Sequence, residues 1–271
     1  MNRAEQGSQS ALASAALIPW KEEPLHVAFL GRLGGVSKGP YKSLNFATHC
    51  GDDPQAVAAN WELLRNLLPA SVDVAMLRQV HSAHVHRIEA GAVIPAPNGN
   101  RALRPEGDGM VTARRGLALG ILTADCVPIL LYDPHQGTIG ALHAGWRGTL
   151  ANIGGEGVRA LTGLGAQARQ IKAALGPAIG KCCFEIDVEL ADRFAARIPH
   201  ALAHLECGRT GKAHLDLRGL LRDQLLEAGL LADAILNVGP CTKCASDRYF
   251  SRRAARGGPT GLQLSFIAMP T

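Results

Sequence analysis

Three short apolar segments lie close together in the middle of the chain, and they constrain its fold more than any other feature. They cover residues 117–122, 127–132 and 138–142, and none of them shows a helical stripe of apolar positions. Glycines and aspartates flank them, and each is too short for a typical buried helix. A continuous apolar run of this length is typical of a strand that is buried on both faces. The chain is therefore predicted to build its core from covered sheets.

Helices and further strands are predicted around these segments. Three helices are expected to begin after aspartates that are suitable N-caps, namely Asp53, Asp187 and Asp216. A fourth, weakened by glycines, is expected to begin near Gly148. The other predicted strands cover residues 26–30, 75–80, 84–88, 172–175, 235–238 and 263–267. Because several neighbouring strands are joined too tightly for a crossover helix, the sheets are predicted to be mixed and the fold class to be α+β.

One domain accounts for most of the chain. Residues 1–24 are rich in Ser, Ala, Gln and Glu without a sustained period, so they are predicted to form a flexible tail. The folded domain is predicted to cover residues 25–271. The early apolar stretch 11–18 is too short to span a bilayer and has no clear cleavage site after it. No membrane segment and no export are expected.

The composition narrows the class of protein. The chain has 271 residues, of which 47% are hydrophobic, so a large core is expected. Its formal net charge is +5, but the basic residues are scattered and only 4% of residues are aromatic, which argues against a nucleic-acid partner and suits a small anionic substrate. The number of cysteines is odd, 7 in all, which indicates reduced thiols in a cytoplasmic protein.

Two histidines and one cysteine lie where predicted strands end. Cys126 lies in the turn 123–126 between two apolar segments, His143 ends the third segment, and His81 follows the extended segment that ends at Val80. Two imidazoles and a thiolate form a ligand set that zinc prefers, and three protein ligands leave a fourth position open, as in catalytic zinc sites. Taken singly, the histidines also fit ordinary surface residues and Cys126 fits a core residue.

Several ordered blocks surround these positions. They include Gln79-Val80-His81, Leu122-Thr123-Ala124-Asp125-Cys126, His143-Ala144-Gly145-Trp146-Arg147-Gly148, Leu175-Gly176-Pro177-Ala178-Ile179-Gly180 and Arg248-Tyr249-Phe250-Ser251. In these blocks the chain resembles the YfiH family, also called the laccase-domain or multicopper polyphenol oxidase-like family. The resemblance extends from about residue 29 to residue 267.

The resemblance implies both a fold and an activity. It implies a layered α/β/β/α domain in which zinc is bound by His81, Cys126 and His143. It also implies purine nucleoside phosphorylase activity, accompanied by adenosine deaminase and methylthioadenosine phosphorylase activities. Purine nucleosides and phosphate are therefore the expected partners of a monomer or weak homodimer. Some members are described as copper-dependent polyphenol oxidases and some as amidases that edit a cell-wall precursor, so copper and these reactions remain alternatives.

Six further residues are candidates for roles in such a site. Arg147 and Arg32 are candidates for holding phosphate, and Arg147 follows His143 closely enough to return to the same cleft. Proton transfer is assigned to Asp125 or Glu185, with the alternative that Asp125 only caps its own turn. Asn45 and Gln79 are candidate hydrogen-bond donors to substrate, with the alternative that Asn45 fixes a loop. The chain departs from the family pattern at Gly31 and Leu262, where threonine and arginine are common.

Other interpretations compete with this site. A deaminase-like zinc motif is suggested by His204-Leu205-Glu206 followed by Pro240-Cys241-Thr242-Lys243-Cys244, although His204 is predicted to lie in a polar loop. Cys241 and Cys244 also suggest a structural zinc site with Cys182 or Cys183. Because the chain has no second Cys-x-x-Cys, packing or redox sensitivity is the preferred interpretation of these cysteines. Two more alternatives are a metal-free amidase, with Cys126 as nucleophile and His143 or His81 as base, and a non-catalytic binding module.

Overall fold

The structure is a computed structural model that describes residues 16–21, 25–89 and 101–271. The α-helices in these ranges are α1 (Pro54–Arg65), α2 (Trp146–Leu150), α3 (Ile153–Thr162), α4 (Val188–Arg197) and α5 (Leu217–Glu227). The strands are β1 (His26–Phe29), β2 (Asp73–Ala75), β3 (Val85–Arg87), β4 (Gly109–Thr112), β5 (Leu117–Thr123), β6 (Val127–Asp133), β7 (Thr138–Ala144), β8 (Lys172–Leu175), β9 (Glu185–Asp187), β10 (Leu205–Cys207), β11 (Lys212–Leu215), β12 (Ile235–Asn237) and β13 (Gln263–Met269).

The strands form two large sheets and one small one. The larger sheet has the order β12-β8-β6-β7-β4-β3, the second has the order β1-β13-β5-β2, and β10-β11-β9 form the small sheet. Parallel pairs (β2 with β5, β3 with β4, β12 with β8) occur beside antiparallel ones, as between β6 and β7. The predicted α+β class with mixed sheets is confirmed.

Alternating side chains of the central strands explain why their sequences are apolar throughout. The layer between the two large sheets contains Leu117, Leu119 and Ile121 of β5 together with Leu130 and Tyr132 of β6. The intervening residues of β5, such as Leu122, pack with Trp61 of α1 on the outer face. Those of β6, such as Leu131, pack with Leu161 of α3. Both faces of each sheet are therefore covered, which gives the order helix, sheet, sheet, helix.

The predicted helix starts are observed at all three aspartates. The Asp53 carboxylate accepts a hydrogen bond from the amide of Gln55 at 2.9 Å, and Asp216 accepts one from the amide of Gly219 at 3.0 Å. Asp187 precedes α4, although its side chain makes no cap and pairs with Lys212 instead. Asn152, in the left-handed region at φ 64°, separates α2 from α3 where a single helix was predicted.

Several short strands were misplaced or missed in the predictions made from the sequence. The strand predicted at 75–80 is observed at Asp73–Ala75, and β4 lies where glycines had indicated a loop. Gly109 lies in β4 at a position with no room for a larger residue, since a Cβ there would lie 2.8 Å from side-chain carbons of Leu142 and Val85. The small sheet was also missed, so the polar loop predicted around His204 is in fact a short 3-10 segment that leads into β10.

Part of the predicted tail packs on the domain. Of residues 1–24, residues 1–15 and 22–24 lie outside the described residues, as does the stretch 90–100 of the predicted surface loop. Leu17 exchanges two backbone hydrogen bonds with Phe29, at 3.0 and 2.9 Å. Trp20 is buried, and its ring centroid lies 6.4 Å from that of Tyr132. Among the described helices, none has the length and apolar character needed to cross a membrane.

Candidate active site

Three side chains converge at one end of the large sheet. Cys126 directly precedes β6, and His143 lies in β7, which pairs with β6 so that His143 is opposite Pro128. His81 lies between β2 and β3 with a positive φ of 63°, which is uncommon for a residue other than glycine. The donor atoms of His81, Cys126 and His143 all lie within 4.8 Å of one another. The structure thus brings together the three predicted metal ligands.

A buried carboxylate holds the His143 ring and the backbone of His81 in place. Asp108 is fully buried, and its Oδ1 lies 2.8 Å from Nδ1 of His143 and accepts a hydrogen bond from the backbone amide of His81 at 2.9 Å. Its Oδ2 accepts hydrogen bonds from the backbone amide and the hydroxyl of Ser82 at 2.6 and 2.8 Å. Nε2 of His143 is therefore left to face Cys126. A carboxylate on the second nitrogen is the usual partner of a metal-binding histidine.

The pKa values of three groups in the site are shifted so that their charged forms are favoured. Burial by itself raises the pKa of Cys126, but the adjacent His143 and His81 lower it to about 6. Burial by itself lowers the pKa of His143, but the Cys126 sulfur and the Asp108 carboxylate raise it to about 9. Burial opposes ionisation of Asp108 as well, yet the hydrogen bonds from His143 and Ser82 lower its pKa to about 2. At neutral pH the metal-free site is consequently a row of thiolate, imidazolium and carboxylate.

The residues fit a tetrahedral metal ion with one open position. Two imidazole nitrogens and a thiolate sulfur suit zinc or copper better than a hard cation such as magnesium. Gly145 keeps the space beside them clear, since a Cβ there would lie 3.0 Å from Sγ of Cys126 and 3.0 Å from Cδ2 of His81. A bound dication would also replace the proton that otherwise balances the Cys126 thiolate.

Metal affinity at this site is expected to depend steeply on pH. Between the pKa of Cys126, about 6, and that of His143, about 9, a cation must displace one proton from His143. The association constant is therefore expected to rise about tenfold per pH unit over this window and to level off above it. Competition with a chelator of known protonation constants at pH 6.5, 7.5 and 8.5 measures this slope. A constant that does not change with pH would contradict the thiolate–imidazolium pair.

The three ligands line a cavity of about 550 Å³. Four arginines line it, Arg104, Arg252, Arg253 and Arg256. His49, Phe184 and Leu262 also line it. A volume of this order accommodates a small organic molecule, and the arginines favour an anionic group within it.

Two of the other predicted site residues line this cavity. Asp125 does so with a positive φ of 89°, and its two carboxylate oxygens accept hydrogen bonds from the Thr242 hydroxyl and the Arg253 backbone amide, both at 2.6 Å. Gln79 makes two hydrogen bonds with the backbone of Leu122, at 2.8 and 2.9 Å. Both side chains therefore fix the cavity wall as well as facing the cavity.

Four predicted residues lie outside the described cavity wall. Arg147 stacks on Trp146 at 4.3 Å, and Arg32 lies over the ring of Phe250 at 4.6 Å and donates to the carbonyl of Lys42. Glu185 pairs with Arg209 at 2.9 Å.

Asn45 is the fourth residue outside the wall. It is fully buried and accepts hydrogen bonds from the backbone amides of Ala47 and Leu262, at 3.0 and 2.9 Å. Its amide also donates to Asp52 at 2.9 Å. These contacts match the loop-fixing alternative that the sequence left open.

The structure adds residues that sequence reasoning missed. Asp108 directly precedes β4, and its carbonyl accepts a hydrogen bond from the backbone amide of His143 at 2.7 Å, so the pairing of β4 with β7 places the two residues side by side. The expectation that a metal-binding histidine has a carboxylate partner was the available signal. Arg252, Arg253 and Arg256 follow the block that ends at Ser251, and only the fold returns them to the cavity.

The rival deaminase-like motif is not assembled. His204 lies 2.6 Å from Asp223 and packs against Gly219, and in the described ranges it is not part of either group of potential metal ligands. Cys241 and Cys244 instead lie with Cys182 and Cys183 in a second group, whose donor atoms are within 4.8 Å of one another.

Known proteins share both the fold and the sequence pattern. The family model described as "Multi-copper polyphenol oxidoreductase laccase" matches residues 26–270. A purine nucleoside phosphorylase of Streptomyces coelicolor is 41% identical over 84% of this chain and 90% of its own length, and one of Deinococcus radiodurans is 41% identical over 90% of this chain and 88% of its own. The crystal structure of the hypothetical protein YfiH from Bacillus licheniformis, 30% identical, superposes with a TM-score of 0.87 over 94% of this chain and 96% of that one.

The fold and the site together define a class of protein. Its members are mixed α+β domains that carry an imidazole–thiolate–imidazole centre in an arginine-lined cavity. The chain belongs to the laccase-like YfiH family. The resemblance predicted from the sequence blocks is confirmed.

The two departures from the family pattern have different surroundings. Gly31 lies against the chain near Arg248, and a Cβ at Gly31 would be 2.5 Å from that residue's carbonyl oxygen. A larger residue there would require a backbone shift. Leu262 lines the cavity itself, so this wall presents an apolar side chain where an arginine is common. The difference at Leu262 bears directly on how an anion is held.

Proposed function

We propose that the protein is a zinc-dependent purine nucleoside phosphorylase that cleaves a nucleoside with inorganic phosphate. The observation that carries the proposal is a single cavity of about 550 Å³ whose wall combines the His81, Cys126 and His143 donors with arginines. Relatives at 41% identity are named purine nucleoside phosphorylases, which supports the same assignment. We further propose a cytoplasmic monomer or weak homodimer that acts on small molecules.

Phosphate is assigned to the arginine side of the cavity. In phosphorolysis a phosphate oxygen forms a bond to C1′ of the ribose while the bond from C1′ to the purine nitrogen breaks. Phosphate must therefore be held in line beneath the sugar, which requires directed positive charge. Arg253 is the best-positioned group, because its backbone amide bonds to Asp125 and its guanidinium donates to the carbonyl of Cys183 at 3.2 Å. Arg252 and Arg256 are exposed on the same wall and supply further charge.

The departing purine carries negative charge and needs a proton or a cation. His49 and Asp125 are the cavity residues that we assign to proton transfer with the purine. A zinc ion, when bound, supplies Lewis acidity at the triad end of the cavity. The Asp108–His143 hydrogen bond keeps that end rigid, so the developing charge meets groups that are already oriented.

We extend the proposal to adenosine deamination and to phosphorolysis of methylthioadenosine as accompanying activities. Adenosine and methylthioadenosine both contain adenine and differ only at the 5′ position, where a methylthio group replaces the hydroxyl. Leu262 supports acceptance of an apolar 5′ group, since it offers a leucine side chain to the cavity. Asp125 is the cavity carboxylate that we assign to proton transfer during deamination.

Product analysis tests the reaction type. Purified protein with quantified metal is incubated with adenosine, inosine and methylthioadenosine, each with and without phosphate. Release of free base only when phosphate is present is the expected result, together with ribose 1-phosphate from adenosine and inosine and 5-methylthioribose 1-phosphate from methylthioadenosine. Release of free base and ribose without any dependence on phosphate would indicate hydrolysis and contradict the proposal. Conversion of adenosine to inosine reports the deaminase activity separately, and metal analysis of the active protein distinguishes zinc from copper.

Removing a cavity arginine is expected to weaken phosphate binding. Arg253→Gln is predicted to raise the Michaelis constant for phosphate about tenfold or more, because a charged hydrogen bond to phosphate is lost, and Arg252→Gln is predicted to raise it less; kcat at saturating phosphate changes little in both variants. Initial-rate measurements over a range of phosphate concentrations give both constants. Arg65→Gln, at the exposed end of α1, is the matched control for loss of a surface charge.

Arg147→Gln compares this assignment with the one that sequence proximity suggested. Because Arg147 stacks on Trp146 outside the described cavity wall, its replacement is expected to leave the Michaelis constant for phosphate within about twofold. If Arg147→Gln raised that constant and neither Arg253→Gln nor Arg252→Gln did, phosphate would have to be assigned to the Arg147 side.

One observation favours a second candidate function. Cys126, His143 and Asp108 form a thiolate–imidazolium–carboxylate row of the kind used by cysteine hydrolases. We therefore keep a metal-independent amidase with Cys126 as nucleophile as the alternative activity. The two functions separate on chelation, since the phosphorylase is expected to lose activity as metal is removed. Amide hydrolysis that survives complete chelation would support the alternative.

A further inference from the structure

A second group of cysteines lies beside the cavity and shares no residue with the triad. The sulfur atoms of Cys182, Cys183, Cys241 and Cys244 all lie within 4.8 Å of one another. The Cys183 and Cys244 sulfurs are 3.4 Å apart, and the Cys182 and Cys244 sulfurs are 3.7 Å apart. Four thiols from two distant parts of the chain therefore meet at one point.

The four cysteines lie in two tight turns. The amides of Cys183 and Phe184 both donate to the carbonyl of Gly180 at 2.9 Å, which closes the turn that carries the adjacent pair of cysteines. In the second turn the amide of Ala245 donates to the carbonyl of Cys241 at 3.0 Å, which closes the Cys241-x-x-Cys244 segment. A bridge between Ala178 and Cys241 joins the two turns.

Neither packing nor a disulfide accounts for this arrangement. Cys182 and Cys244 are exposed, so the cluster does not serve to bury apolar surface. A disulfide requires a sulfur–sulfur distance of about 2.05 Å, well below the 3.4 Å between Cys183 and Cys244. By contrast, four thiolates at about 2.3 Å from one zinc ion form a tetrahedron whose edges are about 3.8 Å. The two observed sulfur–sulfur distances lie close to that edge.

We propose that Cys182, Cys183, Cys241 and Cys244 form a structural zinc site with four thiolate ligands. Such a site is closed, because all four tetrahedral positions are taken by the protein. The backbone amides of Gly180 and Cys244 donate to the Cys241 sulfur, which is the kind of second interaction that orients a thiolate ligand. The missing second Cys-x-x-Cys, which argued against this site in the sequence, is replaced by the adjacent pair Cys182-Cys183.

The site ties together two segments of the cavity wall. The guanidinium of Arg253 donates to the carbonyl of Cys183 at 3.2 Å and lies 5.5 Å from the ring of Phe184. Thr242, which lies between Cys241 and Cys244 in the second turn, donates its hydroxyl to Asp125 at 2.6 Å. A zinc ion here therefore holds Asp125 and Arg253 at the positions found in the cavity. The metal assignment itself does not depend on the proposed reaction.

Zinc content of the full chain tests the proposal. Protein purified in the presence of a thiol reductant is expected to contain two zinc ions per chain by elemental analysis. The double variant Cys182→Ser/Cys244→Ser is expected to contain one, and Cys126→Ala is expected to contain one through loss of the other site. Cys207→Ser removes an exposed cysteine outside the cluster and is expected to retain two. Cobalt substitution adds a second readout, because thiolate-to-cobalt charge-transfer bands are expected to weaken in the double variant.

Two results would overturn the assignment. One is a wild-type protein with a single zinc ion that is lost in Cys126→Ala and retained in Cys182→Ser/Cys244→Ser. The other is a thiol titration in denaturant and chelator that finds fewer than the seven free thiols of the sequence, which would indicate a disulfide in the cluster. Both of these can be decided without any measurement of phosphorolysis, so they are independent of the proposed function. If the double variant does not fold, the wild-type zinc and thiol counts still decide the question.

Discussion

Replacing Cys126 by alanine is expected to remove the metal from the candidate active site and to lower phosphorolysis about a thousandfold. The sulfur lies between the two imidazoles, and its pKa of about 6 makes it a thiolate at neutral pH, so it is the only anionic donor of the triad. Two neutral imidazoles alone retain zinc poorly. A loss of several kcal/mol of transition-state stabilisation corresponds to a change of this size.

The measurement pairs activity with metal content. The value of kcat/KM for inosine with saturating phosphate is compared between the wild type and Cys126→Ala, together with zinc per chain. Cys207→Ala is the control, because Cys207 is exposed in β10 and outside both groups of metal ligands. Cys241→Ala is expected to leave the triad loaded. A Cys126→Ala protein that kept the triad zinc and the wild-type rate would exclude this centre from the reaction.

Much of the metal centre was predictable because Cys126 and His143 lie at the ends of strands that the sequence pattern makes recognisable. The apolar segments around Cys126 and His143 are buried on both faces, so their positions along the chain fix where each strand ends. His81 was harder to place by physical reasoning alone, since the strand predicted before it ends six residues earlier, at Ala75. Its position depends on the hydrogen bond from its amide to Asp108, which no local pattern encodes.

The arginines that line the cavity could not be predicted from their distance along the sequence to the metal ligands. Arg147 follows His143 by four residues, but α2 begins at Trp146 and its first turn directs the guanidinium onto that indole ring. Arg253, more than a hundred residues further along, reaches the cavity because Asp125 accepts a hydrogen bond from its backbone amide. Contacts between distant segments are set by the tertiary fold, so a single sequence gives residue types without giving these neighbours.

The cysteine cluster shows the same limit in a different form. A spacing rule based on two Cys-x-x-Cys pairs rejects Cys182 and Cys183 as ligands, because adjacent cysteines do not match it. The turn that follows Gly180 nevertheless presents both sulfurs to the Cys241-x-x-Cys244 turn. Spacing rules describe the common ways to bring four sulfurs together, whereas the geometry decides whether they meet.

Replacing Asp108 by asparagine is expected to weaken both the metal centre and the fold. The carboxylate accepts hydrogen bonds from Ser82 and from the amide of His81, and it orients His143 through Nδ1. The asparagine amide has the same size, but its NH₂ group would face groups that are themselves hydrogen-bond donors. Metal affinity is therefore expected to fall about 10- to 100-fold. Because the change removes the charged partner of a buried pair, the free energy of unfolding is expected to fall by about 3 kcal/mol.

The sign of the pH dependence distinguishes this role from a general loss of packing. The folded-state pKa of Asp108 is lowered to about 2 from an ordinary value of 3.8, so its contribution to stability is complete above about pH 4 and is lost as the pH falls toward 2. The difference in unfolding free energy between wild type and Asp108→Asn, measured by urea denaturation of metal-free protein, should therefore shrink over that range. Asp73→Asn, at an exposed carboxylate 3.8 Å from Arg114, should show almost no difference at any pH. If the Asp108→Asn difference stayed constant down to pH 2, packing alone would explain its effect, and the carboxylate would not be the anchor of the two histidines.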